Sequence, residues 1–295
     1  MSEYEIKPYD ESYIEKQVEI GMSFAERWIG YGQTQVERLK EAYSRENFDP
    51  ETRLYCFKGD EMVGYIGANV VDVEDEGIKR ADSRLAFVLP GHEEAFDLLY
   101  NQLLEVLKNK EVKRIETFQT VLHDNYYELA EGLGFSFHRK ITEVYTGTPD
   151  AFKPFETDSE VMDYNHETDA EGVRQFLKET YENLTDERIE DYVNRIPENE
   201  AIYVRKVIRT DEKLLAFCCA INMQNPNTAQ ITTLLGKNSD YKKHVVSEVM
   251  SESKDKEKVV VFLNPNNPVD EEEVKDFLSM GYEKAADFNI LRKEI

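Results

Sequence analysis

The sequence predicts a mixed α/β protein built from two similar domains. Three observations carry that prediction. The order of apolar runs and helix-like stretches in the first half recurs in the second. Each half holds one strong hairpin signal. Between the halves lies TPDAFKPFETD, residues 148–158, which has two prolines and no periodicity and reads as a linker. Two domains of ordinary size follow, residues 1–147 and 159–295.

The elements follow in chain order. Helical periodicity covers Ile14–Ser44. RLYCFKGDEMVGYIGANV, residues 53–70, is two apolar runs about a polar Lys-Gly-Asp-Glu turn, the pattern of an antiparallel hairpin. A strand at Arg84–Leu89, a helix at Ala95–Leu107 and a strand at Arg114–Thr120 come next. YYELAEGLGFSF, residues 126–137, reads as a short helix stopped by glycine, since a residue without Cβ enters the left-handed region cheaply. A strand at Arg139–Tyr145 closes the half. The second half repeats this order: helices over Ala170–Arg195, a hairpin at 201–223, a strand at Ala229–Leu235 and a helix at Tyr241–Ser251. Then come a strand at Lys258–Leu263, a glycine-stopped helix within 272–285 and a strand at Ala286–Leu291.

Composition excludes several classes. The chain has 295 residues and a formal charge of -24, from 60 acidic and 36 basic side chains. Such a surface repels nucleic acid and anionic membranes, and it favours cationic partners such as amines. Neither a nucleic-acid nor a membrane partner is expected. MSEYEIKPYDESY is acidic and polar, unlike a signal peptide. Cys56, Cys218 and Cys219 lie in strand-like runs without metal-ligand spacing. They read as buried free thiols in a reducing compartment, so a cytoplasmic protein without a metal site is expected.

Leu133-Gly134-Phe135, echoed by Met280-Gly281-Tyr282, closes each repeat, and KGDEMVGYIG forms the first hairpin. With the repeated element order, this resembles the GCN5-related N-acetyltransferase family, as a tandem pair over nearly the whole chain. The resemblance implies an α+β-like domain in each half, a mixed and mostly antiparallel sheet flanked by helices. It implies acetyl-CoA as co-substrate and a small-molecule or peptide amine as acceptor, acetylated by direct attack on the thioester. It also implies that the fourth and fifth strands of each half splay apart. The pantetheine arm would lie in that slot, along Val88 and Leu89 or along Leu234 and Leu235.

The family's phosphate cradle has the form Arg/Gln-x-x-Gly-x-Gly/Ala. Against it, the first half places Glu93 and Ala95 at the two small positions. With Glu94 and Asp97 beside them, the turn reads as a plain helix start, although Gly91 and His92 still offer amides. The second half offers Gly236, Lys237 and Asn238, then Lys242 and Lys243. That set suits an anion, or else a solvated basic loop. The tyrosine that donates a proton in the family falls at Ala130 and Phe277. For a base, the first half offers Glu116 and His123. The plainer readings are a solvent-facing strand residue and a helix cap. Two functions stay open: an acetyltransferase with its cofactor in the second half, or a degenerate tandem protein with a binding or regulatory role.

Overall fold

The computed structural model describes residues 3–25, 35–118, 125–181, 183–210, 213–264 and 267–295. The chain forms two compact units, Met1–Lys140 with Phe288–Ile295, and Ile141–Asp287. Both are mixed α/β with mostly antiparallel sheets.

The first stretch of chain gives β1 (Tyr4–Pro8), α1 (Ile14–Ala25), α2 (Val36–Tyr43), β2 (Arg53–Lys58), β3 (Glu61–Val73), β4 (Ile78–Ser83) and β5 (Phe87–Val88). It continues with α3 (Glu94–Asn109), β6 (Val112–Phe118), α4 (Tyr126–Gly132) and β7 (Ser136–Gly147). The second gives β8 (Val161–Asp163), α5 (His166–Thr180), α6 (Asp186–Arg195), β9 (Ile202–Arg209), β10 (Leu214–Asn222) and β11 (Thr228–Gly236). It ends with α7 (Ser239–Glu252), β12 (Lys258–Leu263), α8 (Pro268–Ser279) and β13 (Glu283–Glu294).

In unit 1 the sheet runs β1-β2-β3-β4-β6 and is completed by the last residues of β13, with Ile290–Glu294 antiparallel to Arg114–Phe118. In unit 2 it runs β8-β9-β10-β11-β12 and is completed by the last residues of β7, with Glu143–Gly147 antiparallel to Val259–Leu263. The closing strand of each repeat therefore belongs to the other repeat's unit. This moves the division of the chain from the expected 148–158 to 140/141 and 287/288. Apolar punctuation marks where a chain turns; strand pairing decides which core it joins.

Three strands escaped the sequence reading. β1 and β8 are short edge strands beside the hairpins and carry little apolar signal. β4 reads IKRADS, with three charges in six residues, so the apolar LAFVL after it attracted the strand assignment. Only Phe87 and Val88 of that segment are strand, paired with β3.

The two glycine stops form as expected. Gly134 and Gly281 have φ of 86° and 92°. Phe135 N–H donates to Ala130 C=O, and Tyr282 N–H to Phe277 C=O, both at 3.0 Å. These are the long bonds of a Schellman motif, in which the residue after the glycine packs on the residue five before it. Tyr282 and Phe277 meet at 4.8 Å between ring centroids. Ala130 and Phe277 are thus fully buried under their caps, which explains why neither position carries a hydroxyl.

The core of unit 1 packs α3 and α4 on one sheet face through Leu99, Leu103, Leu107, Ile115 and Phe135. Unit 2 does the same with Val245, Val249, Val261, Phe277 and Tyr282. The three cysteines are buried free thiols, as read. Among the described residues no helix is long and apolar enough to cross a membrane.

Candidate active site

Both units contain the expected splay. In unit 1, β4 and β6 pair in parallel up to Ser83 and Thr117. Beyond that rung the chain leaves β6, and Phe87–Val88 pairs with β3 alone. In unit 2, β11 and β12 pair up to Ile231 and Val261, while β11 continues on β10 to Gly236.

In unit 1 the gap opens into two cavities that flank residues 84–89. One, of about 560 Å³, lies between the β5 segment and helices α3 and α4. Val88, Leu89, Phe96, Leu129 and Leu133 give it apolar walls, and Glu93, Asp97 and Glu128 an acidic rim. The other, of about 360 Å³, is lined by Tyr43, Arg53, Tyr65, Asp82, Arg84 and Phe118, among others. Val88 and Leu89 line the first of these cavities.

The turn above the first cavity is already occupied. Gly91, with φ of 86°, donates its amide to the Glu93 carboxylate at 2.9 Å. The Gly91 and Glu93 amides hold that carboxyl below its usual range. His92 donates its amide to Leu89 C=O at 3.2 Å, and its ring meets the Tyr4 hydroxyl at 3.1 Å. A carboxylate of the chain thus sits on amides that a phosphate would want.

Unit 2 is filled at the corresponding places. With the capping glycines taken as equivalent, Glu273 and Asp276 stand where unit 1 has Tyr126 and Leu129. Lys242 on α7 donates to buried Glu273 on α8 at 2.9 Å. Ser239 on α7 donates to Asp276. These bonds tie α7 to α8. Burial raises the Glu273 pKa, and Lys242 offsets part of the rise. On the other side of the splay, Tyr192 of α6 hydrogen-bonds Thr233 and lies 3.7 Å from Cys219 Sγ. Burial also pushes the Tyr192 phenol up.

The anion-binding set expected in unit 2 is otherwise engaged. Lys237 gives its amide to Leu215 C=O at 3.0 Å. Its side chain lines a different cavity, of about 840 Å³, against α5 and the end of the β9–β10 hairpin. That cavity also holds the ion pair of Arg209 with buried Asp169. Asn238 caps α7 by accepting from Tyr241 N–H at 2.9 Å. Gly236 lies close against Lys242, since a Cβ there would come 2.8 Å from Lys242 Cγ. Lys243 sits 4.0 Å over the Phe155 ring and 3.2 Å from Asp240. Leu234 and Leu235 are buried in two core clusters.

Glu116 is neither a free base nor solvent-facing. It is 2% exposed and accepts from Arg292 Nε at 3.0 Å, with Arg80 at 3.5 Å. Arg292 arrives on β13, from the far end of the chain, which no local reading of IETFQT could reveal. His123 lies outside the described residues. Tyr126, at the start of α4, is buried and bonds Thr117 Oγ1 at 2.7 Å on the last parallel rung. Burial raises its pKa, so it keeps its proton at neutral pH. Asp82 and Arg84 went unnoticed in the sequence. The alternating charges of IKRADSR were their only signal.

No family model matches the chain, and no curated protein does. Solved structures do. A tandem GNAT protein from the clavulanic acid biosynthesis pathway matches with a TM-score of 0.63 at 12% identity, over 99% of this chain and 98% of that one. A GCN5-related N-acetyltransferase from Sphaerobacter thermophilus matches with a TM-score of 0.59 at 11% identity, over 100% and 96%. A GCN5-related glucosamine N-acetyltransferase region of a fungal multi-domain β-N-acetylglucosaminidase gives 0.54 at 10%, over 98% of this chain and 38% of that one. Across its whole length, the chain carries the GCN5-related N-acetyltransferase fold in tandem form.

Proposed function

We propose that the chain is an acetyl-CoA-dependent N-acetyltransferase whose working site lies in unit 1. The observation that supports this most is the pair of cavities meeting at residues 84–89, where β4 and β6 part. One suits the pantetheine arm, held by Val88, Leu89, Phe96 and Leu129. The other suits the acceptor amine. Bound acetyl-CoA supplies the acetyl thioester.

The amine must be neutral to attack. Its nitrogen bonds to the thioester carbonyl carbon, the carbon–sulfur bond breaks, and the thiolate leaves. The nitrogen then gives up a proton. Water in the acceptor cavity takes that proton, and Asp82, the carboxylate described on the cavity wall and itself held by Arg80, orients the amine. Tyr126, buried on Thr117 at the last parallel rung, is our candidate to return one to the thiolate. Glu116 holds Arg80 and Arg292 in place and plays no part in the chemistry.

The degenerate reading keeps one specific support, the Glu93 carboxylate on the Gly91 amide beneath an acidic rim. Glu93 is exposed, however, and can swing aside. Calorimetric titration with acetyl-CoA separates the two readings. The active reading expects one site per chain, lost in Leu129→Trp, which fills the slot, and kept in Val274→Trp on α8 of unit 2. Absence of binding in the folded wild type supports the degenerate reading.

A further inference from the structure

Among the described residues, the acceptor cavity of unit 1 is lined by two arginines, Arg53 and Arg84, in a strongly acidic chain. Arg53 lies flat across Gly67, where a Cβ would come 2.8 Å from Arg53 Cδ. Its guanidinium sits 5.5 Å from the rings of Tyr43 and Phe48 and donates to Thr52, Ala68 and Asn69. None of these partners is a carboxylate. Arg84 is exposed and is the first residue past the last parallel rung, Ser83 with Thr117. Among the described residues neither arginine makes an ion pair. Arg38, Arg139, Arg188 and Arg205 share that lack of a carboxylate, whereas Arg80, Arg114, Arg174, Arg209 and Arg292 are ion-paired; what sets Arg53 and Arg84 apart is that both line one cavity. Among the described residues of the cavity wall the one carboxylate, Asp82, is held by Arg80 at 2.8 and 3.1 Å.

With 60 acids against 36 bases, an arginine has many carboxylates to choose from. Two arginines that face one cavity without a carboxylate leave charge for a ligand to meet. Tyr43, Tyr65, Phe87, Phe118 and Leu39 give the wall a large aromatic and apolar share, beside the neutral polar groups of Gln17, Asn69 and Ser83. A volume of about 360 Å³ is near the lower end for small-molecule sites.

We propose that this cavity takes an amine that also bears a carboxylate, an amino acid with an apolar or aromatic side chain, whose carboxylate is bound by Arg84. Arg53 is a fixed second charge with its donors spent on the backbone and Asn69. Arg84 has its fork of donors free for a bidentate pair. The amine then lies toward Asp82 and the splay. The assignment of the amine as acceptor rests on the acetyltransferase reading; the carboxylate site does not.

The test is binding without acetyl-CoA. Phenylalanine, phenylalaninamide and phenethylamine are titrated by calorimetry, with leucine and isoamylamine as a second set. In the wild type, the free amino acids should bind at least about tenfold more tightly than the partners lacking a carboxylate, as charge-assisted hydrogen bonds imply. In Arg84→Gln the difference should vanish, and Arg84→Lys should restore part of it. Equal binding across each set, no binding of any, or a preference that survives Arg84→Gln overturns the proposal. If the preference holds but acetyl-CoA does not bind, the carboxylate site stands and the acetyltransferase reading falls.

Discussion

The two units share an element order, a capping motif and a splay, yet the helices beside one splay flank a cavity while those beside the other are bonded to each other. Unit 1 has Tyr126 on α4 bonded to Thr117, and Leu129 lining a cavity. Unit 2 has Glu273 and Asp276 in their place, bonded across to Lys242 and Ser239. Parted strands expose backbone groups that must find partners in ligand, water or protein. The contrast separates what makes the fold from what makes a site. The caps and the apolar faces make the fold, and they recur. What enters the gap between the strands is free to differ.

The largest expected effect tests whether the units are independent at all. Ending the chain at Asp287 removes the β13 residues that complete the unit 1 sheet, and with them Arg292. Buried Glu116 then keeps only Arg80, at 3.5 Å; losing a buried carboxylate's partner costs up to about 3–5 kcal/mol, against the ~5–15 kcal/mol that holds a domain folded. Hydrogen exchange should show the β6 amides unprotected in the truncated protein. Full protection of β6 would mean that β13 is dispensable.

A pH comparison probes the bolt in unit 2. Glu273 has a raised pKa, so the folded state holds its proton more tightly than the unfolded state does. In the window between its folded and unfolded values, stability from this group grows as pH falls. The Glu273→Gln variant cannot titrate there. Urea midpoints compared from about pH 7 down to about pH 4, near the ordinary glutamate value, should therefore show the wild type gaining on the variant. A difference that stays flat over that range would sink the claim that desolvation outweighs Lys242.

A smaller effect is expected in the phosphate turn of unit 1. Glu93→Gln frees the Gly91 amide from a carboxylate and removes one charge from the rim. Acetyl-CoA affinity should rise by roughly two- to fivefold at low salt, and less at high salt. The smallest effect is expected in Lys243→Gln. Lys243 is already placed over Phe155, and its loss should leave acetyl-CoA affinity unchanged. A marked loss there would return the cofactor to unit 2.

Much of the fold was legible because it is written locally. The hairpins, the glycine caps, and the α3 and α7 faces each follow from periodicity or one special residue. The candidate site was less so. Val88 and Leu89 could be placed from the strand and turn around them. Lys242 could not be read as paired, because Glu273 lies 31 residues away and meets it only once α8 docks. Glu116 is the extreme case, with Arg292 separated by 176 residues. Charges report their partners only after the chain has folded, and it is partners that decide whether a carboxylate is a base or a strut.

The placement of β13 has a consequence for how the protein is made. Unit 1 has nearly all its residues once Lys140 is joined, yet its sheet waits for Phe288–Ile295. At about 5–20 residues per second, synthesis of the intervening chain takes on the order of ten seconds. Throughout that interval the β6 edge is uncovered and Glu116 has no Arg292. The nascent chain therefore carries an open strand edge through translation, a site for mispairing that a chaperone would have to shield. Strand exchange turns a chain whose sequence reads as two successive domains into one whose first unit is completed only when Phe288–Ile295 is joined.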